Sequence, residues 1–198
     1  MFGYLSAMPP RLLAFSGSLR RASFNHLLVE AAAAGARAAG AEATVIRLAD
    51  FALPVFNEDD EKASGMPSAA QALKKLFLEH DGLLIASPEY NSGYTAALKN
   101  AFDWVSRGAP GEAPLAAYRG KTAGLLAASP GALGGLRGLV QARMLLGNLG
   151  VLVVPDQFAL AKAHEAFDAD GRMKDDKARA AVEGVGRSVA TTAARLKG

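Results

Sequence analysis

Residues 16–25, SGSLRRASFN, place three serines, two arginines, a glycine and an asparagine in ten positions, directly after the apolar run Leu12–Phe15. Main-chain N–H groups at the start of a helix are unpaired and the helix dipole adds positive potential there, so a polar loop entering a helix can seat an anion. Ser18 and Ser23 add hydroxyl donors, Asn25 an amide, and Arg20 a guanidinium of fixed geometry. Capping by Ser23 or Asn25 would need only one such residue. Ser18, Arg20, Ser23 and Asn25 together read as an anion site, with Arg21 a solvated side chain. A second stretch, SPEYNSGYTAALKN (87–100), offers Tyr90 and Tyr94 for stacking, Pro88 and Gly93 to shape the backbone, and the Asn91 amide for hydrogen bonds. Residues 91–93 also read as a turn and Thr95 as a helix cap; the two roles are compatible.

These stretches need a scaffold that sets them side by side. RLLAFS (11–16) reads as a buried strand, followed by a helix over 25–39 that stops at Gly40. ATVIRL (43–48) is a second strand, FNEDDE (56–61) an acidic loop, and 67–79 a helix. GLLIAS (82–87) is a third strand, ended by Pro88, and 95–107 a helix with Leu98, Ala101, Phe102 and Val105 at helical spacing. Strand 121–129, helix 135–148, strand VLVVP (151–155) and a last helix over 175–196 complete the chain. The strands show little apolar–polar alternation, which fits strands covered on both faces. The expected fold is therefore α/β, a three-layer, doubly wound parallel sheet of about five strands; the order to test is the flavodoxin-like 2-1-3-4-5. Residues 1–10 read as an N-terminal extension and 11–198 as a single domain. In that order strands one and three flank the switch point, where ligands bind at the carboxyl ends of the strands. The two polar stretches then face each other across one crevice.

Composition narrows the function. The 198 residues are 51% hydrophobic and carry a net charge of only +3, with no run of five or six basic residues, which gives no support to a nucleic-acid surface. Cysteine is absent, which removes disulfides, thiolate catalysis and iron–sulfur ligation. No segment approaches the roughly 20 apolar residues of a membrane span, and the first ten residues lack a signal-type basic and apolar pattern. A soluble, cytoplasmic protein is expected.

Other motifs fail on inspection. No GxGxxG follows a strand and no GxSxG occurs. GKT at 120–122 resembles the tail of a Walker loop, but position 115 is Leu and a strand follows; Lys121 reads as a strand-flanking charge. His26, His80 and His164 lack metal spacing and read as structural or surface residues. Asp168, Asp170 and Gly171 begin like a calcium loop, yet the rest of that pattern is missing, so a turn is expected.

GSLRRASFN (17–25) and SPEYNSGYTAALKNAFDW (87–104) resemble the NADPH-dependent FMN reductase family, which includes quinone, chromate and azo-dye reductases. SPGALGGLRGLVQARMLLGNLG (129–150) and FDADGR (167–172) are similar to the family as well, and the blocks fit in order from about residue 11 to 197. The resemblance implies that Ser18, Arg20, Ser23 and Asn25, with the Phe24 main chain, hold the FMN phosphate. Pro88, Glu89, Tyr90 and Asn91 would run along the isoalloxazine ring, bordered by Ser129 and Gly131. Many members have proline where this chain has Thr95. Family members commonly form homodimers or homotetramers with the flavin near the subunit interface.

The chemistry so implied is ping-pong: NADPH or NADH passes hydride to flavin N5, and a small-molecule acceptor then takes the electrons in the same place. The cofactor carries the reaction, which agrees with finding no protein nucleophile or general base. The amides of Tyr90 and Asn91 are expected to face negative charge at the N1/O2 end of the ring, and Glu89 to orient the loop rather than move a proton. Two other readings stand beside this one. A flavodoxin-type electron carrier would turn over no pyridine nucleotide, but such carriers are usually acidic and have a TxTGxT loop. A flavin-free regulatory protein on the same fold would not need the ligand-type residues that this chain keeps.

Overall fold

The computed structural model describes residues 8–197; most of the expected N-terminal extension lies outside the described residues. Five parallel strands, β1 (Arg11–Ser16), β2 (Glu42–Arg47), β3 (Gly82–Ala86), β4 (Thr122–Ala128) and β5 (Leu152–Leu160), form one sheet in the order β2-β1-β3-β4-β5. The helices are α1 (Phe24–Ala38), α2 (Glu58–Ser64), α3 (Ser68–Glu79), α4 (Ala96–Ser106), α5 (Leu136–Asn148) and α6 (Asp176–Lys197). The doubly wound fold and strand order expected from the sequence are the ones observed.

Strand side chains alternate between two cores, as a two-residue period requires. Leu12, Ala14, Leu84, Ala86 and Leu126 face α1 and α6, while Leu13, Phe15, Leu83, Ile85 and Leu125 face α3, α4 and α5. β1, β3 and β4 are buried along nearly their whole length, which is why the sequence shows apolar runs there. On the second face Phe15, Phe77, Phe102 and Tyr118 form an aromatic cluster with centroids 5.6–6.4 Å apart, largely edge-on. On the first, α1 and α6 touch through their backbones. A methyl group at Gly35 would collide with the Glu183 carbonyl, and one at Gly186 with that of Ala32.

Two elements depart from expectation. Residues 58–64 form a helix, α2, where an acidic loop was expected; Asn57 caps it by accepting from the Asp59 amide, four carboxylates occupy its first turn, and Gly65 ends it at φ 77°. None of its residues is buried, so the apolar period that marks a helix is missing, and the cap and dipole signals carry the information instead. β5 runs on to Leu160 rather than stopping at Pro155. The register with β4 shifts between Ala123 and Leu125, and β5 is an edge strand; a proline is tolerated at such an irregularity.

The sheet also fixes where its loops leave. Just past the strands, Gly17 N–H donates to the Ala86 carbonyl (2.9 Å), Ser87 to Leu126 (2.9 Å) and Ser129 to Leu160 (3.1 Å). The loops after β1, β3 and β4 therefore depart from adjacent points on one edge.

Candidate functional site

The loop after β1 is held by its own serines. Ser18 N–H donates to Ser16 Oγ (3.1 Å) and Arg20 N–H to Ser18 Oγ (3.3 Å). Ser23, with extended φ and ψ of −94° and 119°, caps α1 by accepting from the His26 amide at 3.3 Å. Among the described residues the N–H groups of Ser23, Phe24 and Asn25 meet no acceptor, and Arg20 is exposed and makes no ion pair. The Phe24 ring turns away to stack on Phe167, centroids 6.1 Å apart and planes 4° from parallel. The Asn25 side chain is committed to the protein: Nδ2 donates to the Ala128 carbonyl and Oδ1 accepts from the Ala128 amide, both at 2.9 Å. It clamps the start of α1 to the end of β4. Arg47, at the end of β2, braces the loop by donating to the Arg21 carbonyl (3.2 Å).

The loop after β3 is a tight turn. Tyr90 and Gly93 exchange both main-chain hydrogen bonds at 3.0 Å, with Asn91 at φ 51° and Ser92 at φ 68°, as a type I′ turn requires. This uses the Tyr90 amide, which was expected to face the ligand; the Asn91 amide has no acceptor among the described residues. Pro88 is buried and the Tyr90 ring is exposed at the mouth. Thr95 does two jobs: its hydroxyl donates to the Gly17 carbonyl (2.6 Å) and accepts from the Leu98 amide (3.1 Å), capping α4 and tying it to the first loop.

The loop after β4 is fastened to the same turn through Glu89. One carboxylate oxygen accepts from the amides of Arg137 (2.9 Å) and Gly138 (3.2 Å), the other from Arg137 Nε at 2.7 Å. Gly135, the N-cap position of α5 at φ 92°, has no side chain, so Glu89 supplies the cap from another loop. Burial pushes the Glu89 carboxyl up, but the hydrogen bonds and charge of Arg137 and the Gly138 amide outweigh it and hold the pKa below its ordinary value. Ser129 Oγ accepts from the Gly131 amide (3.2 Å). Gly134, at φ 62°, lies where a Cβ would meet Ala161 N at 2.7 Å, so only glycine lets this loop lie on the end of β5.

The eleven residues assigned to the FMN site converge, whereas Tyr94, offered for stacking, packs against the core on the α3–α5 face. Ser18, Arg20, Ser23, Phe24, Asn25, Pro88, Glu89, Tyr90 and Ser129 line one crevice. Asn91 and Gly131 line an adjoining cleft of about 450 Å³ that shares Glu89 and Ser129. A model of NADPH-dependent FMN reductases matches residues 10–165. The chain belongs to the NADPH-dependent FMN reductase family. It is 37% identical over 190 residues to an NAD(P)H-dependent FMN reductase of Pseudomonas aeruginosa, covering 95% of this chain and 97% of that protein. An NADPH:quinone oxidoreductase of Arabidopsis thaliana is 31% identical over 195 residues, covering 95% and 94% of the two chains. Among solved structures, a flavoenzyme NAD(P)H:(acceptor) oxidoreductase from Paracoccus denitrificans superimposes with a TM-score of 0.77 at 28% identity, covering 94% of this chain and 98% of that one.

As a member of that family the reductase works with FMN and NAD(P)H. Its crevice fits a phosphate-bearing ligand: it is lined by three amides at a helix N-terminus and a guanidinium that meet no partner among the described residues, and by two serine hydroxyls. The discarded motifs have structural work. Lys121 is buried, hydrogen-bonded to the His80 carbonyl, and burial lowers its pKa against the pull of Asp81. His80 bridges the Leu76 carbonyl (2.6 Å) and Thr44 Oγ1 (3.0 Å). His26 pairs with Glu30 at 3.3 Å and His164 with Glu165 at 3.2 Å. Asp168 accepts from the amides of Asp170 (3.0 Å) and Arg172 (2.8 Å), closing a turn. No group of three or more metal-ligating side chains occurs among the described residues. Arg137 is the site residue that the sequence did not single out; its signal is the Gly134–Gly135 pair that starts α5 two residues earlier.

Proposed function

We propose that the reductase holds FMN across the three loops and turns over NAD(P)H with a small-molecule acceptor of quinone type. The observation that carries this reading is the set of amides at Ser23, Phe24 and Asn25 that, like the neighbouring Arg20 side chain, meet no partner among the described residues and share one crevice with Tyr90. Arg20, the hydroxyls of Ser18 and Ser23, and the Phe24 and Asn25 amides bind the phosphate. Asn25 contributes its main chain, and its side chain holds α1 against β4. Pro88, Glu89, Tyr90 and Asn91 lie along the ring, with Ser129 and Gly131 at its border. The Asn91 amide is the donor available to negative charge on the ring. Glu89 works as a fixed carboxylate that holds the Tyr90–Asn91 turn to α5. The redox chemistry, hydride accepted from NAD(P)H and electrons passed on in alternation, is what FMN supplies when bound.

An exposed apolar stripe on α5, Leu136, Val140 and Met144 at four-residue spacing, continues from Leu133 at the edge of the cleft. We read it as the contact with a second copy, giving a homodimer or homotetramer with the flavin near the interface. No helix among the described residues is long and apolar enough to cross a membrane; the cytoplasm and a single domain over 11–198 complete the reading. The test is a titration of flavin-free protein with FMN. Saturable quenching of flavin fluorescence that inorganic phosphate weakens is the expected result; no saturable binding would overturn it.

A further inference from the structure

The crevice does not end at Tyr90. A cavity of about 420 Å³ continues it past Ser18, Arg20 and Tyr90 between the first loop and the start of α4. Leu19, Ala96 and Ala97 line that cavity and also a groove of about 280 Å³ that runs on to Leu48, Leu53 and Val55. Among the described residues no ionisable side chain lines the groove. Its polar side chain, Asn100, is committed: Oδ1 accepts from the Phe56 amide and Nδ2 donates to the Pro54 carbonyl, both at 2.8 Å. Trp104 Nε1 donates to the same carbonyl (2.8 Å), and the Phe56 ring packs edge-on against Trp104 with centroids 5.0 Å apart. The chain is thus pinned on both sides of Val55, whose side chain is left 84% exposed at the rim.

A pinned groove with apolar side chains that opens into a ligand crevice favours hydrocarbon, and among the described residues it presents no cationic side chain to the phosphates of a dinucleotide. We propose that this groove takes the hydrocarbon arm of the electron acceptor, a neutral ring compound whose alkyl or prenyl substituent lies along Leu19, Ala97, Leu53 and Val55. The proposal rests on the flavin reading of the crevice. It adds that acceptors are selected by their tails as well as by their redox-active ring.

The test is a series of 1,4-benzoquinones with one ring and linear alkyl arms of increasing length, assayed with NADPH. KM should fall by about fourfold for each methylene buried until the groove is filled and then level off, with kcat unchanged. Ala97→Leu and Ala96→Leu, which fill the groove, should abolish the fall and leave the unsubstituted quinone unaffected. A KM independent of arm length overturns the proposal, and so does a fall that survives both variants. Val55→Asp that changes the mass in solution while the length dependence persists also overturns it, since the rim is then a contact between copies. If the unsubstituted quinone is not reduced and FMN does not bind, the flavin reading fails. The groove is then decided by quenching of Trp104, the one tryptophan of the chain. Saturable quenching by the long-armed quinone alone, lost in Ala97→Leu, upholds the arm site; equal quenching by both quinones overturns it.

Discussion

Glu89 and Arg137 are joined twice: the guanidinium reaches the carboxylate at 2.5 Å through Nη2 and 2.7 Å through Nε, while the Arg137 amide donates to the other oxygen at 2.9 Å. A residue in the loop after β3 thereby caps the helix after β4. Loss of an N-cap costs about 0.5–2 kcal/mol, so Glu89→Ala should lower stability to urea by that amount and weaken FMN binding. Glu89→Gln keeps an acceptor but loses the charge, and should fall between. Equal stability of all three proteins would show that the cap is unimportant.

Of the two arginines of the first loop, Arg20 is the one that lines the crevice, and it makes no ion pair among the described residues. Removing a charge-assisted hydrogen bond costs about 1.5–3 kcal/mol, so Arg20→Ala should weaken FMN binding by roughly 10- to 150-fold. Riboflavin, which lacks the phosphate, should bind the variant and the parent almost equally. An equal loss for riboflavin would show that Arg20 does not read phosphate.

The contact of α1 with α6 separates two glycines of one helix. Gly186→Ala should destabilise by about 1–3 kcal/mol through collision with Ala32, despite the better helix propensity of alanine. Gly184 has only the end of the Arg187 side chain nearby, at 3.7 Å, so Gly184→Ala should stabilise by up to about 1 kcal/mol. Urea midpoints read both, and two stabilising substitutions would contradict the close crossing.

The pH dependence of stability has two stages. Burial first, and then the Arg47 charge, hold the His26 imidazole below its ordinary pKa against the pull of Glu30 and Asp50. The folded state then binds fewer protons than the unfolded one, so this contribution is complete above about pH 6.5 and is lost as the pH falls through that range. Asp81, Glu89 and Glu112 also lie below their ordinary values and are lost only in stronger acid. Urea unfolding should show the first decline in the parent and a flatter curve in His26→Gln, with the acid limb unchanged. A parent curve flat through the histidine range would contradict the assignment.

The buried strands were legible because their composition is one-sided: β3 is apolar throughout, β1 and β4 are apolar but for their ends, and Gly40, Pro88 and Thr95 punctuate the chain between elements. The site loops were legible by residue type. What the sequence did not show is which polar groups were already spoken for. Asn25 reads as a ligand donor until Ala128, 103 residues away, takes both ends of its amide. Tyr90 N–H reads as free until the turn closes it on Gly93. Residue type also says nothing of Arg137, because its role depends on Glu89 lying 48 residues earlier. The extension of β5 past Pro155 depends on its being an edge strand with a shifted register, which is a property of the sheet and not of the segment.

A flavin held in this crevice should be reduced by NAD(P)H. The most direct measurement is the visible absorbance of FMN-loaded protein on anaerobic addition of NADPH or NADH. The yellow absorbance should bleach and return when a quinone is added. A yellow protein that neither nucleotide bleaches would be an electron carrier, and a protein that retains no FMN would show that the crevice is not a flavin site.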